Sequence, residues 1–258
     1  MLDYDPAFEE KLFDFIKYSD NFNLTTILIE ISVYLIVGLL FYHGYKKYSI
    51  KKISLYFSGI FLLGAIVEHY MVLSGFYTEY VLHSTKTYYY NLHLYMFWIG
   101  IIPVVVLLSW FVLAYSSYQI VEIVFFQEKK HILLKRALLA GMLGTTIDFI
   151  IDPIVIRRSG WIWLNNLGDT FWFLQVPLTN FLGFFLIVAS FNYYFVWHWE
   201  KFILKRSSWH PEIQIMVYFI MILIPFLIVL LVIIGLVILQ AIFGLNGIDL
   251  SWWTWLNN

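Results

Sequence analysis

The sequence predicts an all-α fold, a polytopic integral membrane bundle of about six transmembrane helices with short interfacial helices. Two observations carry the class. Of 258 residues 61% are hydrophobic and only 13% charged, at a mean hydropathy of +0.78, a composition that soluble domains do not have. Three long stretches, Thr87–Val121, Thr170–Trp199 and Ile213–Ile248, contain no Asp, Glu, Lys or Arg, and each exceeds the roughly 20 residues that cross about 30 Å of hydrocarbon. A third observation gives the bundle an orientation. Lys46, Lys47, Lys51 and Lys52 follow the first span, Lys129, Lys130, Lys135 and Arg136 the third, and Lys201, Lys205 and Arg206 the fifth. Eleven of the 16 basic residues thus fall on alternate connections, and the positive-inside rule makes that side cytoplasmic.

The elements follow in order. Residues 1–23 form an acidic N-terminal segment with Asp3, Asp5, Glu9, Glu10, Asp14 and Asp20. It lacks the basic start and apolar run of a signal peptide and reads as an interfacial helix or tail. Residues 24–248 form the transmembrane domain, with spans expected at Leu24–Tyr42, Ile53–Leu73, Leu94–Tyr115, Ala137–Ile156, Thr179–Trp197 and Ile215–Ile242. Residues 249–258 are a Trp-rich tail. A cell-membrane, multi-pass protein with both termini extracytoplasmic is expected. The net charge of −1 offers no basic face to replace phosphate counterions, so no nucleic-acid partner is expected. Zero cysteines remove disulfides, thiolate metal sites and Cys nucleophiles. Seven histidines show no HxxxH, HxxHH or HExxH spacing, so no metal site is expected.

The orientation also fixes depths. Glu68 falls in the outer half of the second span, Asp148 and Asp152 near the outer end of the fourth, and Pro177, Asn180 and Gly183 at the outer beginning of the fifth. Asp148 and Asp152 are one helical turn apart on one face, and Gly141 and Gly144 continue the stripe. Intramembrane acids on such a face point into the bundle. Pro153 is expected to end that helix. The plainer reading makes the two aspartates a helix-end cap or partners of Arg157 and Arg158, with Asp152 the more structural of the two. Glu68 follows Gly64 by one turn and has no Lys or Arg in its span; a buried carboxyl without a cation is a candidate general acid, or a protonated packing residue. Glu30 is expected to serve packing. The aromatics between spans, Tyr88, Tyr89, Tyr90, Tyr95, Trp98, Trp161, Trp163 and Trp172, fit either an interfacial belt or a pocket.

The spacing of these residues resembles a known family. Asp148, Asp152 and Pro153 form D-x-x-x-D-P; Gly160, Trp161 and Trp163 form G-x-W-x-W; Val176, Pro177, Asn180, Phe181 and Gly183 form V-P-x-x-N-F-x-G. In this order the motifs resemble the carotenoid biosynthesis protein family, which includes CruF-type carotenoid hydratases and the bisanhydrobacterioruberin hydratase. Phe184 stands where that family usually has Trp. Upstream, Glu68 with Gly75, Phe76 and Tyr77, and Pro103 with Trp110, resemble further family segments, although the Phe-Gly-x-Tyr turn is missing and the aromatic stretch Tyr88–Trp98 replaces a Gly-Pro segment. The resemblance covers roughly Gly64–Phe184.

It implies a hydratase that protonates a terminal C=C of an acyclic carotenoid and captures the cation with water, using no cofactor and no metal. Its partners are a carotenoid or other long isoprenoid and the membrane lipids. Glu68, Asp148 and Asp152 are then catalytic, with Asp148 or Glu68 as acid and Asp152 orienting water. Asn180 supports by hydrogen bonding, Trp110, Trp161 and Trp163 wall the pocket, and Pro177 and Gly183 belong to the substrate-binding motif. Two other classes stay open. A UbiA-type prenyltransferase needs a second acidic cluster for magnesium and diphosphate, and only one is present. A proton-coupled or lipid-binding membrane protein would use Glu68 and Asp148 as relays, without the internal repeats of a transporter.

Overall fold

The computed structural model describes residues 24–82, 86–91, 94–124, 133–157, 160–165, 172–173, 176–199 and 210–243. The acidic segment 1–23 and the tail 249–258 lie outside the described residues. Among the described residues six helices make the bundle: α1 (Leu24–Lys47), α2 (Ile50–Leu82), α3 (Val104–Val124), α4 (Leu133–Arg157), α5 (Leu178–His198) and α6 (Pro211–Phe243). Five windows among the described residues are long and apolar enough to cross a membrane: Ile27–Lys47, Ile50–Leu73, Val104–Val124, Leu133–Arg157 and Asn180–His198. The sixth helix is 33 residues long and carries no charge from Ile213 onward. The chain is an all-α polytopic membrane protein.

The core lies where α2, α3 and α5 meet, and it is aromatic. The Tyr56 ring stands edge-on to Tyr115, Phe191 and Phe195 at centroid distances of 5.4, 5.1 and 4.8 Å, a geometry that aligns ring edges with ring faces. Its hydroxyl donates to Asn192 Oδ1 at 2.7 Å, and Asn192 Nδ2 donates to the Val188 carbonyl at 3.0 Å, so the buried polar atoms are paired. α6 docks on α2 through Tyr218, whose ring fills the space a side chain at Gly59 would need and whose hydroxyl donates to the Leu55 carbonyl.

At the lysine-rich end, Lys47 Nζ donates to Gln119 Oε1 at 2.7 Å and Glu122 Oε2 at 2.8 Å, and Tyr48 donates to the same glutamate. This clasp ties the α1–α2 turn to the end of α3. Glu122→Ala leaves both donors without that acceptor and is expected to cost about 1–3 kcal/mol, read as a lower melting temperature in detergent.

Between the helices are three two-stranded antiparallel ribbons: β1 (Lys86–Tyr90) with β4 (Trp161–Asn165), β2 (Trp98–Ile99) with β3 (Ile102–Pro103), and β5 (Trp172–Phe173) with β6 (Val176–Pro177). The first joins the connections that follow α2 and α4, which emerge at the same end of the bundle. Its register places Tyr88 opposite Trp163 and Tyr90 opposite Trp161. Aromatic residues favour strands and pair across them, and Asn91 N–H extends the ladder to the Gly160 carbonyl at 3.1 Å.

Two expected boundaries are corrected. The third span starts at Val104, not Leu94. Pro103 bars Ile102 from helical dihedrals, and Gly100 adopts φ +60°, so Trp98–Pro103 closes as a hairpin with Gly at its first turn position. Pro153 does not end α4, which runs on to Arg157. Proline's φ is already helical, and its missing N–H removes one bond, to the carbonyl of Phe149, so one further turn survives. The Gly160 N–H then closes on the Val155 carbonyl at 2.9 Å.

Candidate active site

Glu68 lies on the inner face of α2, 7% exposed. Its Oε2 accepts from the hydroxyls of Tyr88 and Tyr90, the latter at 2.6 Å, and its Oε1 accepts from Trp110 Nε1 at 2.9 Å. The strand explains the two phenols: residues i and i+2 share a face, so Tyr88 and Tyr90 both point down onto the helix, their rings at 88° to one another. Burial, with the Glu68 charge beside them, pushes both phenols well above their ordinary value, which keeps them protonated donors. Gly64 explains the third donor. A Cβ at that position would stand 2.8 Å from Trp110 Cδ1, so only glycine lets the indole lie against α2 one turn before Glu68. On its other side the indole stacks on Phe184 at 4.6 Å.

The facing acids come from α4. Gly141, Gly144, Asp148 and Asp152 form one stripe, and at Gly141 the helix meets α5 so closely that a Cβ would stand 2.8 Å from Ala189 Cβ and 2.9 Å from the Phe185 carbonyl. Phe149 stacks on Phe181 at 3.8 Å and completes the α4–α5 contact. Asp148 and Asp152 are each 5% exposed and lie within hydrogen-bonding reach of one another. A bond between them needs a proton on one of the two carboxyls. Asp152 Oδ2 also accepts from Asn180 Nδ2 at 2.8 Å. Asp148 Oδ2 is buried with no hydrogen-bond partner among the described residues. Glu68 is near enough that its charge acts on both aspartates.

Among the described residues neither aspartate forms an ion pair; Arg157 is exposed, and Arg158 lies outside the described residues. No group of three or more His, Asp or Glu side chains among the described residues is placed to hold a metal ion. Of the four polar residues expected at one depth, Asp148, Asp152 and Asn180 are joined on one side, and Glu68 faces them closely enough for its charge to act on both aspartates, with Trp110 hydrogen-bonded to Glu68. Trp161 stands edge-on to Tyr90 at 5.9 Å, one step from the centre. The backbones of Trp163 and Pro177 lie in β4 and β6, and their side chains lie outside the described part of the structure. Gly183 makes no contact to the carboxyls; a Cβ there would meet nothing within 4 Å. Glu30 accepts from Tyr34 and from Met96 N–H at 3.0 Å, which pins α1 to the segment before β2.

The family model described as carotenoid biosynthesis protein matches residues 26–247. The chain belongs to the carotenoid biosynthesis protein family. No curated protein and no solved structure matches it. In this carotenoid biosynthesis protein the match reaches from α1 past the end of α6, beyond the Gly64–Phe184 stretch in which the motifs fall. Two contributors to the centre escape a motif reading. Tyr88 and Tyr90 look like belt aromatics until their partner strand is known; Thr87–Tyr90 is a run of strand-favouring residues, but it does not show which tyrosines face inward. Phe184, standing at the family's Trp position, keeps an aromatic face against Trp110.

Proposed function

We propose that this carotenoid biosynthesis protein is a membrane-embedded hydratase that adds water to a terminal C=C of an acyclic carotenoid. The observation that carries the reading is the Asp148–Asp152 pair: two buried carboxyls within hydrogen-bonding reach of one another, with Asp148 Oδ2 receiving no donor among the described residues. An unpaired buried carboxyl oxygen is costly, and it is where a proton donor or a bound water belongs.

Asp148 gives its proton to the terminal alkene, whose π pair forms the new C–H bond and leaves a tertiary carbocation. A water oriented by Asp152 attacks through an oxygen lone pair, the resulting oxonium passes a proton to Asp152, and that proton returns to Asp148 across their hydrogen bond. The sum is alkene plus water to tertiary alcohol, with nothing oxidised or reduced. Paired carboxyls of unlike surroundings divide acid and base work in this way. Asn180 holds Asp152 in place. The faces of Trp110, Trp161 and Trp163 stabilise the cation by about 0.5–2 kcal/mol each, and Pro177 and Gly183 shape the approach. The substrate is a long isoprenoid lying in the bilayer, which accounts for a site built among helices. Counting lysines and arginines, the ribbon end and its acids face outward in the cell membrane.

The test is expression in cells that accumulate an acyclic carotenoid, lycopene or bisanhydrobacterioruberin, with mass spectrometry of the extract. A gain of one water per processed end is expected. No gain with either substrate sinks the reading, and magnesium-dependent consumption of a prenyl diphosphate replaces it with prenyl transfer.

A further inference from the structure

We propose that Glu68 is not a proton donor but a fixed carboxylate, held by Tyr88, Tyr90 and Trp110 to balance the carbocation that forms beside the aspartate pair. This rests on the hydratase reading and assigns within it a role to two tyrosines that no motif marks.

The hydrogen bonds argue for the anion. Both oxygens of Glu68 receive donors: the indole at Oε1 donates only, and the two phenols converge on Oε2. That is the pattern of a carboxylate, which accepts and does not donate. The surroundings lack the usual counterpart. Buried charges are ordinarily paired, yet among the described residues Glu68 forms no salt bridge. Among the described residues its setting is half of an ion pair, satisfied by dipoles and without a cation. The hydration step supplies one transiently, and a negative charge fixed before the reaction stabilises developing positive charge without reorganising. Three hydrogen bonds take up three of the roughly four lone-pair positions of the carboxylate, which makes it a weaker nucleophile toward the cation it attracts. Tyr88, Tyr90 and Trp110 are positioning residues that act through Glu68, and two of them sit on the β1 strand, which makes the ribbon part of the catalytic apparatus.

The test follows the proton. Membranes carrying the full chain are incubated with an acyclic carotenoid in D2O, and both the alcohol and the deuterium in recovered alkene are measured, because a cation that loses a different proton returns as labelled alkene. Glu68→Gln, and separately the Tyr88→Phe/Tyr90→Phe double variant, are expected to slow hydration about 100-fold with KM within about twofold, while deuterium still enters recovered alkene. Asp148→Asn, which removes the proton donor, is expected to reduce labelling in step with product, by about 10²–10⁴-fold. Phenylalanine keeps the ring packing, so loss of the fold does not explain the slower rate. Labelling reduced in Glu68→Gln as far as in Asp148→Asn overturns the role, as does a double variant at wild-type rate. A wild-type chain that hydrates nothing overturns the hydratase reading beneath it instead.

Discussion

Replacing Asp148 by asparagine is expected, under the hydratase function proposed above, to reduce carotenoid hydration by about 10²–10⁴-fold, the range that a positioned general acid supplies, while folded protein remains in the membrane at wild-type levels. Asparagine matches aspartate in shape, and its amide can still donate to Asp152, so the α4–α5 contact at Gly141 and the Asn180–Asp152 bond at 2.8 Å are undisturbed. What it lacks is a transferable proton. Product measured by mass spectrometry and protein measured in the membrane fraction separate the two effects. Unchanged turnover in this variant removes Asp148 from the acid role.

Trp110→Ala is expected to have the largest effect on stability. The indole is 7% exposed, lies between Gly64 and Phe184, and is the only described donor to Glu68 Oε1. Its loss leaves a cavity costing about 3–5 kcal/mol and an unpaired carboxylate oxygen costing about 1–3 kcal/mol more. Trp110→Phe keeps a ring against Phe184 and loses the donor, so it is expected to fall between the two. Thermal unfolding in detergent orders the three proteins; an alanine variant that melts with the wild type shows that the stack does not support the bundle.

The helices were legible because crossing a membrane imposes a length and a composition that show in any window of the sequence. The convergence of Glu68, Asp148, Asp152 and Asn180 was legible too, since alternation of Lys and Arg between connections assigns each residue a depth. The connections were not. Leu94–Pro103 is as apolar as a span, and hydropathy alone merges it with α3; Gly100 and Pro103 mark the turn and the helix start. The tyrosines were hidden for a different reason. A strand of five residues gains its identity from a partner strand, and the partner of Lys86–Tyr90 is Trp161–Asn165, beyond two intervening helices. Pairing at that separation leaves no local trace, so residues that complete the site read as ordinary interfacial aromatics. Pro153 misled in the opposite direction, because a proline in the last turns of a helix removes one bond and need not end it.

The β1–β4 ribbon also sets an order of assembly. Glu68 enters the bilayer with α2 when neither Tyr88 nor Tyr90 has a strand to lie against and Asp148 has not yet been made. Residues 161–165 can pair with 86–90 only after α3 and α4 have crossed and brought the second connection back to the same end. Non-local pairing of this kind comes late, since the intervening chain must be ordered before the contact forms. The acids therefore spend early biogenesis as separate polar groups, each opposing insertion of its own helix, and Glu68 receives its two phenol donors only when the ribbon has formed. The order in which the membrane crossings are completed decides when its hydrogen bonds can close.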